Sequence, residues 1–272
     1  MLIPIRPSGG LAPLFLLHGN TGFMATGTAF ARVTGPDQPI YVINAKGFDG
    51  SEPRETVAEM VGDYLDEVLS VTGGGPLVIV GQCWGSLIAL ELGTELLAQG
   101  CELGPLILVD PPRVPFRRAV ASVSEETKRQ LYDYTRGTLI KMSKAWFLEL
   151  PFDVNDPEQL HVSVLAAMAS ITAISRFIPR PYLGSVEFIL SSETAAPFFA
   201  RENPWQKILP NPPVSHVMPF GHNELIQQNR FEVAKLISFI VEWNAWRNGG
   251  GEERATNTFG QQPNRFGRMA GA

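Results

Sequence analysis

The segment VIVGQCWGSLIALELG, which begins at Val78, constrains the fold of this chain more than any other. An apolar, β-branched run predicts a buried parallel strand, and the apolar pattern after it predicts a helix. Between them stands the motif Gly-x-Cys-x-Gly, with Cys83 flanked by Gly81 and Gly85. Strand and helix approach each other closely around such a turn, so both glycine positions must be small. The pattern therefore predicts a nucleophile elbow in which Cys83 takes the place usually held by serine.

Short apolar runs alternate with helical patterns around this elbow. Strands are predicted at 14–19, 39–45, 76–83, 105–110, 185–192 and 214–220, with helices at 56–71, 86–100, 125–150 and 156–178 and one or two more after 223. This alternation is typical of a mostly parallel sheet with helices on both faces. We predict one α/β domain over residues 1–246, with a helical insertion at about 112–181 and a flexible tail at 247–272. The segment PIRPSGGLAPLF, residues 4–15, looks like a linker that leads into the domain.

Composition excludes several classes of protein. The chain has 272 residues, with 22 Lys and Arg against 27 Asp and Glu, a net charge of −5, so we expect no nucleic-acid partner. No run approaches about 18 apolar residues, so no membrane span is expected. Two cysteines are too few for a disulfide framework, which favours a cytoplasmic location. Cys101, which follows the glycine that ends a helix, is expected to be structural.

A cysteine nucleophile needs a base, and the chain offers four histidines. The first turn of a helix favours a thiolate, because its free N–H groups and dipole attract negative charge. In elbow folds the order along the chain is nucleophile, acid and histidine, with the histidine just after the last strand. His222 fits this place in VSHVMPFGHNE, whereas His216 falls within the strand itself. His161 belongs to the helical insertion, so His222 is the predicted base.

Two carboxylates compete for the role of the acid. Asp110 ends the strand after the nucleophile helix, and Glu193 follows the next strand. Both positions lie at the carboxyl edge of a parallel sheet, where functional sites form. Asp110 is favoured because its short side chain sits directly at a strand end, and Glu193 stays open as the alternative.

The loop after the first predicted parallel strand, HGNTG, is the candidate for half of an oxyanion hole. One donor would be the backbone N–H of Trp84, directly after the nucleophile, and the second a backbone N–H near Asn20. Gly19 and Gly22 would let the chain pass close to a substrate. The plainer interpretation of His18 and Gly19 is a strand-to-loop turn.

Taken together, these segments resemble the thioesterase domains of nonribosomal peptide and polyketide synthases. The resemblance rests on LAPLFLLHGNTG, AEMVGDYLDEV, VIVGQCWGSLIALELGTELLAQG, LGPLILVDPP and GHNELI, and it covers residues 3–110 and, in less detail, 185–245. It implies an α/β-hydrolase fold, a helical lid in the insertion, and an acid after the earlier strand, which supports Asp110. The sequence departs from the family pattern at Cys83, where serine is usual, and at Ser86, where a second glycine is usual.

The resemblance also implies a function. Such domains take an acyl, peptidyl or polyketide chain from the phosphopantetheine arm of a carrier protein and release it by hydrolysis, cyclisation or aminolysis. We expect no cofactor and no metal beyond that substrate arm. Residues 113–180 carry a net charge of +3, so an acidic carrier protein is expected to dock near the lid, around Arg117 and Arg118. Two alternatives are a dienelactone-hydrolase-like lactonase, against which the long insertion argues, and a non-catalytic binding module.

Overall fold

The computed structural model describes residues 1–24, 27–113, 124–144, 150–200 and 203–248. In this part of the chain seven strands form one sheet: β1 (Leu2–Arg6), β2 (Leu14–Leu17), β3 (Ile40–Ile43), β4 (Val78–Gln82), β5 (Leu106–Val109), β6 (Val186–Ser191) and β7 (Val214–Met218). Their order across the sheet is β1-β3-β2-β4-β5-β6-β7. β1 pairs antiparallel with β3, and every other pairing is parallel. The predicted mostly parallel sheet is confirmed.

Helices cover both faces of this sheet. They are α1 (Gly27–Val33), α2 (Val57–Thr72), α3 (Gly85–Ala98), α4 (Glu125–Ser143), α5 (Pro157–Arg176), α6 (Ser192–Phe198) and α7 (Arg230–Asn248). A 3₁₀ turn spans Pro204–Lys207 and a π-helical turn spans Glu224–Gln228. None of the helices in the described ranges combines the length and apolarity needed to cross a bilayer.

The inner strands are apolar on both sides because each side contributes to a separate core. Phe15 and Leu17 point into the cluster that includes α2 and α3, whereas Leu14 and Leu16 point into the cluster that includes α1 and α7. All four side chains of β2 are buried. The continuous apolar runs of the sequence therefore follow from burial on both faces.

The insertion contributes two helices and a small core of its own. Its cluster joins α4 and α5 to the loops of the body through Phe23, Leu139, Phe152, Leu160 and Val164. The Phe152 ring lies 5.8 Å from Phe23 and 6.0 Å from Phe48, between ring centroids. At the far end of α5, the Arg180 guanidinium binds the carboxylates of Glu91 and Glu95 on α3. The described residues of the insertion thus pack on the body at both ends of α5.

The structure corrects several sequence-based assignments. Residues Pro4–Arg6, predicted as part of a linker, belong to the edge strand Leu2–Arg6, and the short helices α1 and α6 were not predicted. α4 ends at Ser143, before the predicted end at 150. α7 extends through Asn248, so the predicted tail boundary at 247 falls within its last turn. Arg117 and Arg118 lie outside the described residues, as does the chain after 248.

Candidate active site

Cys83 sits in a strained turn between β4 and α3. Its φ is 51°, in the left-handed region that non-glycine residues rarely adopt. A Cβ on Gly85 would lie 1.9 Å from the His18 carbonyl oxygen, and one on Gly81 would lie 2.7 Å from the Ala89 Cβ. Neither position can hold a side chain without moving backbone or core. The steric requirement inferred from the motif is therefore present at both glycines.

Three predicted residues from distant parts of the sequence meet at the carboxyl edge of the sheet. The Cys83 Sγ lies 3.6 Å from the His222 Nε2, and the His222 Nδ1 lies 2.5 Å from the Asp110 Oδ2. The histidine ring thus stands between the thiol and the carboxylate, bound to one through each nitrogen. This is the arrangement in which a histidine moves protons at a nucleophile while an acid orients its ring.

The Asp110 carboxylate is buried and fully engaged. Its backbone φ is 45°, a second non-glycine residue in the left-handed region. The Ser191 N–H donates to Asp110 Oδ1 at 2.7 Å, and the Thr194 hydroxyl donates to the same oxygen. Desolvation by burial acts to raise the pKa of Asp110, but the hydrogen bonds from His222, Ser191 and Thr194 outweigh it and lower this pKa. Asp110 is therefore ionised at neutral pH and offers His222 a full negative charge.

Both Asp110 and Cys83 affect the pKa of His222. The hydrogen bond with Asp110, followed by the one with Cys83, raises the pKa of His222 to about 10, although partial burial opposes the shift. The ring is therefore an imidazolium near neutral pH, with Nδ1–H donating to Asp110 and Nε2–H directed at the sulfur.

The loop after β2 lies against the elbow. A Cβ on Gly85 would lie 3.5 Å from the Gly19 Cα, which brings the turn containing Asn20 next to the first turn of α3. Trp84 is the N-cap residue of α3. The predicted donors therefore belong to two neighbouring segments, and their role as an oxyanion hole stays a prediction.

His18 holds this loop in place. Its ring is fully buried, and burial lowers the pKa of His18 to about 4. The neutral ring donates from Nδ1 to the Gly19 carbonyl at 2.6 Å and accepts at Nε2 from the Tyr64 hydroxyl at 2.7 Å. Both nitrogens are thereby used, so His18 is structural. Sequence reasoning missed Tyr64, whose apolar neighbours in α2 made it look like part of the core.

The remaining candidates lie apart from the Cys83 thiol. His216 is in β7, as predicted, and its Nε2 binds the Glu187 carboxylate at 2.7 Å. The His161 Nδ1 binds the Tyr132 hydroxyl at 2.8 Å, between α5 and α4. Cys101 is buried in the core cluster that includes α2 and α3.

Glu193 lies close to the site without touching the imidazole ring. Its carboxylate accepts a hydrogen bond from the backbone N–H of His222 at 3.2 Å. The ring partner is Asp110, the carboxylate favoured from the sequence. The described residues contain no group of three or more His, Cys, Asp or Glu side chains placed to hold a metal ion.

The profile of the family described as Thioesterase domain matches residues 12–242. The chain belongs to this family. The match includes the elbow, both helices of the insertion and the loop of His222. The α/β-hydrolase fold that the sequence resemblance implied thus agrees with the sheet and helices of this thioesterase domain.

One curated relative is named as a synthetase. Malpinin synthetase of Mortierella alpina is 31% identical over 131 residues, an alignment that covers 48% of this chain and 2% of the synthetase. The thioesterase domain therefore spans a small fraction of the length of this relative.

Two solved structures share its fold. A four-domain nonribosomal peptide synthetase bound to AMP and glycine aligns over 89% of this chain and 20% of its own, with a TM-score of 0.71 and 16% identity. The NocB thioesterase domain, in covalent complex with a fluorophosphonate nocardicin G analogue, aligns over 88% of this chain and 97% of its own. Its TM-score is 0.65 and its identity 22%. At these identities the likeness concerns the fold alone.

Proposed function

We propose that this thioesterase domain takes an acyl, peptidyl or polyketide chain from the phosphopantetheine thioester of a carrier protein onto Cys83 and then releases it. The observation that carries the proposal is the hydrogen-bonded series Cys83–His222–Asp110, in which Cys83 lies at the strained elbow. The relative named above is a synthetase, and the NocB thioesterase domain is described in covalent complex with a fluorophosphonate nocardicin G analogue. The four-domain nonribosomal peptide synthetase that shares the fold supports a carrier protein as the partner.

In the first step the Cys83 thiolate attacks the carbonyl carbon of the carrier-bound thioester. The new carbon–sulfur bond forms as the carbonyl oxygen becomes an oxyanion, which the backbone N–H groups of Trp84 and the Asn20 loop would bind. On collapse the bond to the pantetheine sulfur breaks. His222, protonated before the step, gives its Nε2 proton to the leaving thiolate, and Asp110 keeps the ring oriented.

In the second step a nucleophile attacks the acyl-enzyme. Neutral His222 accepts the proton of water, of an amine or of a hydroxyl within the acyl chain, and the Cys83 thiolate leaves. An acyl-Cys83 is itself a thioester, so transfer from the carrier is nearly isoenergetic and the intermediate stays reactive towards amines. Release by hydrolysis, cyclisation or aminolysis therefore uses the same groups.

The insertion separates this function from the lactonase alternative, whose members share the Gly-x-Cys-x-Gly elbow but carry no long lid. Two long helices, α4 and α5, stand here between β5 and β6. A binding module is also disfavoured, because nucleophile, base and acid are all retained in contact.

Intact-mass spectrometry tests the proposal. Incubation with acyl-pantetheine thioesters should add the acyl mass to the wild-type protein and to a Cys101→Ser control, but not to Cys83→Ala. Cys83→Ser should keep an adduct and shift the outcome towards hydrolysis or stalling, since an oxoester is less reactive to amines. Turnover that survives Cys83→Ala would exclude this mechanism, and a lactone consumed in preference to the thioester would favour the lactonase.

A further inference from the structure

Four consecutive residues at the junction of β6 and α6, Ser191 to Thr194, contact both the Asp110 carboxylate and the loop that carries His222. Ser191 and Thr194 bind the Asp110 carboxylate through a backbone N–H and a hydroxyl. Between them, Ser192 and Glu193 face the loop that carries His222. A single turn of chain therefore connects the acid to the histidine loop.

The contacts on the histidine side are made to backbone atoms. The Ser192 N–H and hydroxyl both donate to the Phe220 carbonyl, at 2.9 and 3.1 Å. The Glu193 Oε2 accepts from the His222 N–H at 3.2 Å. The Glu193 carbonyl in turn accepts from the Arg113 guanidinium at 2.9 Å, which holds this turn from the segment that follows Asp110.

Gly221 lets the Glu193 carboxylate reach the loop. A Cβ at this position would lie 2.7 Å from the Glu193 Oε1, so any larger residue would push the carboxylate away. On the other side, the Glu224 Oε2 accepts from the Gly221 N–H at 3.0 Å. Two successive backbone N–H groups, those of Gly221 and His222, are thus each held by a carboxylate.

We propose that Glu193 is a positioning residue that fixes the backbone of His222, and with it the distance from the imidazole to Cys83, through its carboxylate–N–H hydrogen bond. The inference rests on the proposed function, because it has Glu193 position one member of the proposed triad of Cys83, His222 and Asp110. Glu193 binds the His222 backbone and touches neither the ring nor the thiol, so it acts by holding the imidazole at the right position. Small displacements of a catalytic group cost rate, up to about 100-fold for 1 Å.

The test compares Glu193→Ala with Glu193→Gln in the full chain. The glutamine keeps a carbonyl oxygen that can accept the His222 N–H, whereas the alanine removes the acceptor. With a small acyl-pantetheine thioester we expect Glu193→Ala to lower kcat about tenfold with little change in KM, and Glu193→Gln to stay within about threefold of wild type. The pH–rate profile of Glu193→Gln should match that of wild type. The matched control is Glu232→Ala on α7, which removes an exposed carboxylate paired with Lys235.

Gly221→Ala gives an independent route to the same contact. It should lower kcat by a similar factor. The double variant with Glu193→Ala should be no less active than either single variant, because both substitutions break the same hydrogen bond, that between the His222 N–H and the Glu193 carboxylate. A double variant about 100-fold down, the product of the two, would overturn the positioning role. So would Glu193→Gln falling as far as Glu193→Ala, since that would assign the effect to charge.

Failure of the inference can be told apart from failure of the proposed function. An active Glu193→Ala beside an inactive Cys83→Ala overturns the positioning role alone. A Cys83→Ala variant that retains turnover overturns the proposed function and the positioning role together.

Discussion

The carboxyl edge of the sheet and the helical insertion differ in how far their buried polar groups are hydrogen-bonded. At the sheet edge, Asp110, Ser191 and Thr194 are buried and bound to one another. In α4 and α5, the hydroxyls of Thr135, Ser163 and Ser170 are buried without a hydrogen-bond partner among the described residues. A buried hydroxyl that lacks a partner loses its hydration without compensation, at a cost of about 1–3 kcal/mol.

The two regions therefore differ in how firmly hydrogen bonds fix their packing. At the sheet edge, residues from the end of β6 and the start of α6 bind the Asp110 carboxylate and the His222 backbone. The insertion relies on an apolar cluster around Phe152 and gains little from its buried hydroxyls. We therefore expect the insertion to open more easily than the sheet, as lids do when they admit substrate.

The largest expected effect is at the sheet edge. Asp110→Asn should lower kcat/KM by about 10⁴, the size of the defect that a wrong histidine tautomer causes in a serine protease. Glu193→Gln should cost far less, because it leaves the partner of the ring in place. Steady-state kinetics on one thioester compares the two. A more damaging Glu193→Gln would move the acid to the later strand.

A second prediction concerns the apolar cluster of the insertion. Phe152→Ala should remove the ring contacts with Phe23 and Phe48, at a cost of about 3 kcal/mol. Hydrogen exchange in α4 and α5 should then rise by about 100-fold while β4 and β5 stay protected. Leu165→Ala, at a half-exposed site on α5, is the matched control. An insertion as protected as the central strands in the wild-type protein would contradict the comparison.

The third prediction uses the pH dependence of Tm to measure how much the His222–Asp110 pair contributes to folding stability. Because the folded pKa of His222 is raised to about 10, its stabilising contribution is complete below the unfolded value of about 6.5 and is lost as the pH rises through 10. The Tm advantage of wild type over His222→Gln should therefore shrink between pH 7 and 10. His161→Gln, which removes a ring that binds the Tyr132 hydroxyl, is the control for the loss of a histidine elsewhere in the fold. A constant difference for His222→Gln would argue against the raised pKa.

The smallest effect is expected on the surface of the insertion. Arg136 and Lys141 are exposed on α4, within the segment of net positive charge. Replacing both with glutamate should raise KM for a carrier-bound substrate about fivefold and spare a small thioester, and the effect should fade in high salt. Lys235→Glu on α7 is the control. Equal effects on both substrates would place carrier docking elsewhere.

Much of the candidate site could be predicted because its chemistry follows directly on apolar strands. Cys83 and Asp110 each end a segment that the sequence marks as a strand, and His222 comes just after another. The choice between Asp110 and Glu193 needed the structure, since both follow strands and differ only in which atom of His222 they reach. The roles of Ser191, Thr194 and Tyr64 were missed because each depends on a partner far away along the chain.

Local patterns in the sequence are enough to predict the parallel sheet and the elbow, because these depend on hydrophobic periodicity and on glycines where a side chain would clash. The positions proposed for Cys83, Asp110 and His222 follow from the order that elbow folds use. The tertiary structure alone decided that Leu2–Arg6 becomes an edge strand, since a short half-exposed segment takes its conformation from the β3 strand it pairs with. The same is true of the four consecutive residues at the junction of β6 and α6 that connect Asp110 to the loop of His222. Hydrogen bonds between distant segments leave no periodic trace in a sequence, so they become visible only when the chain is folded.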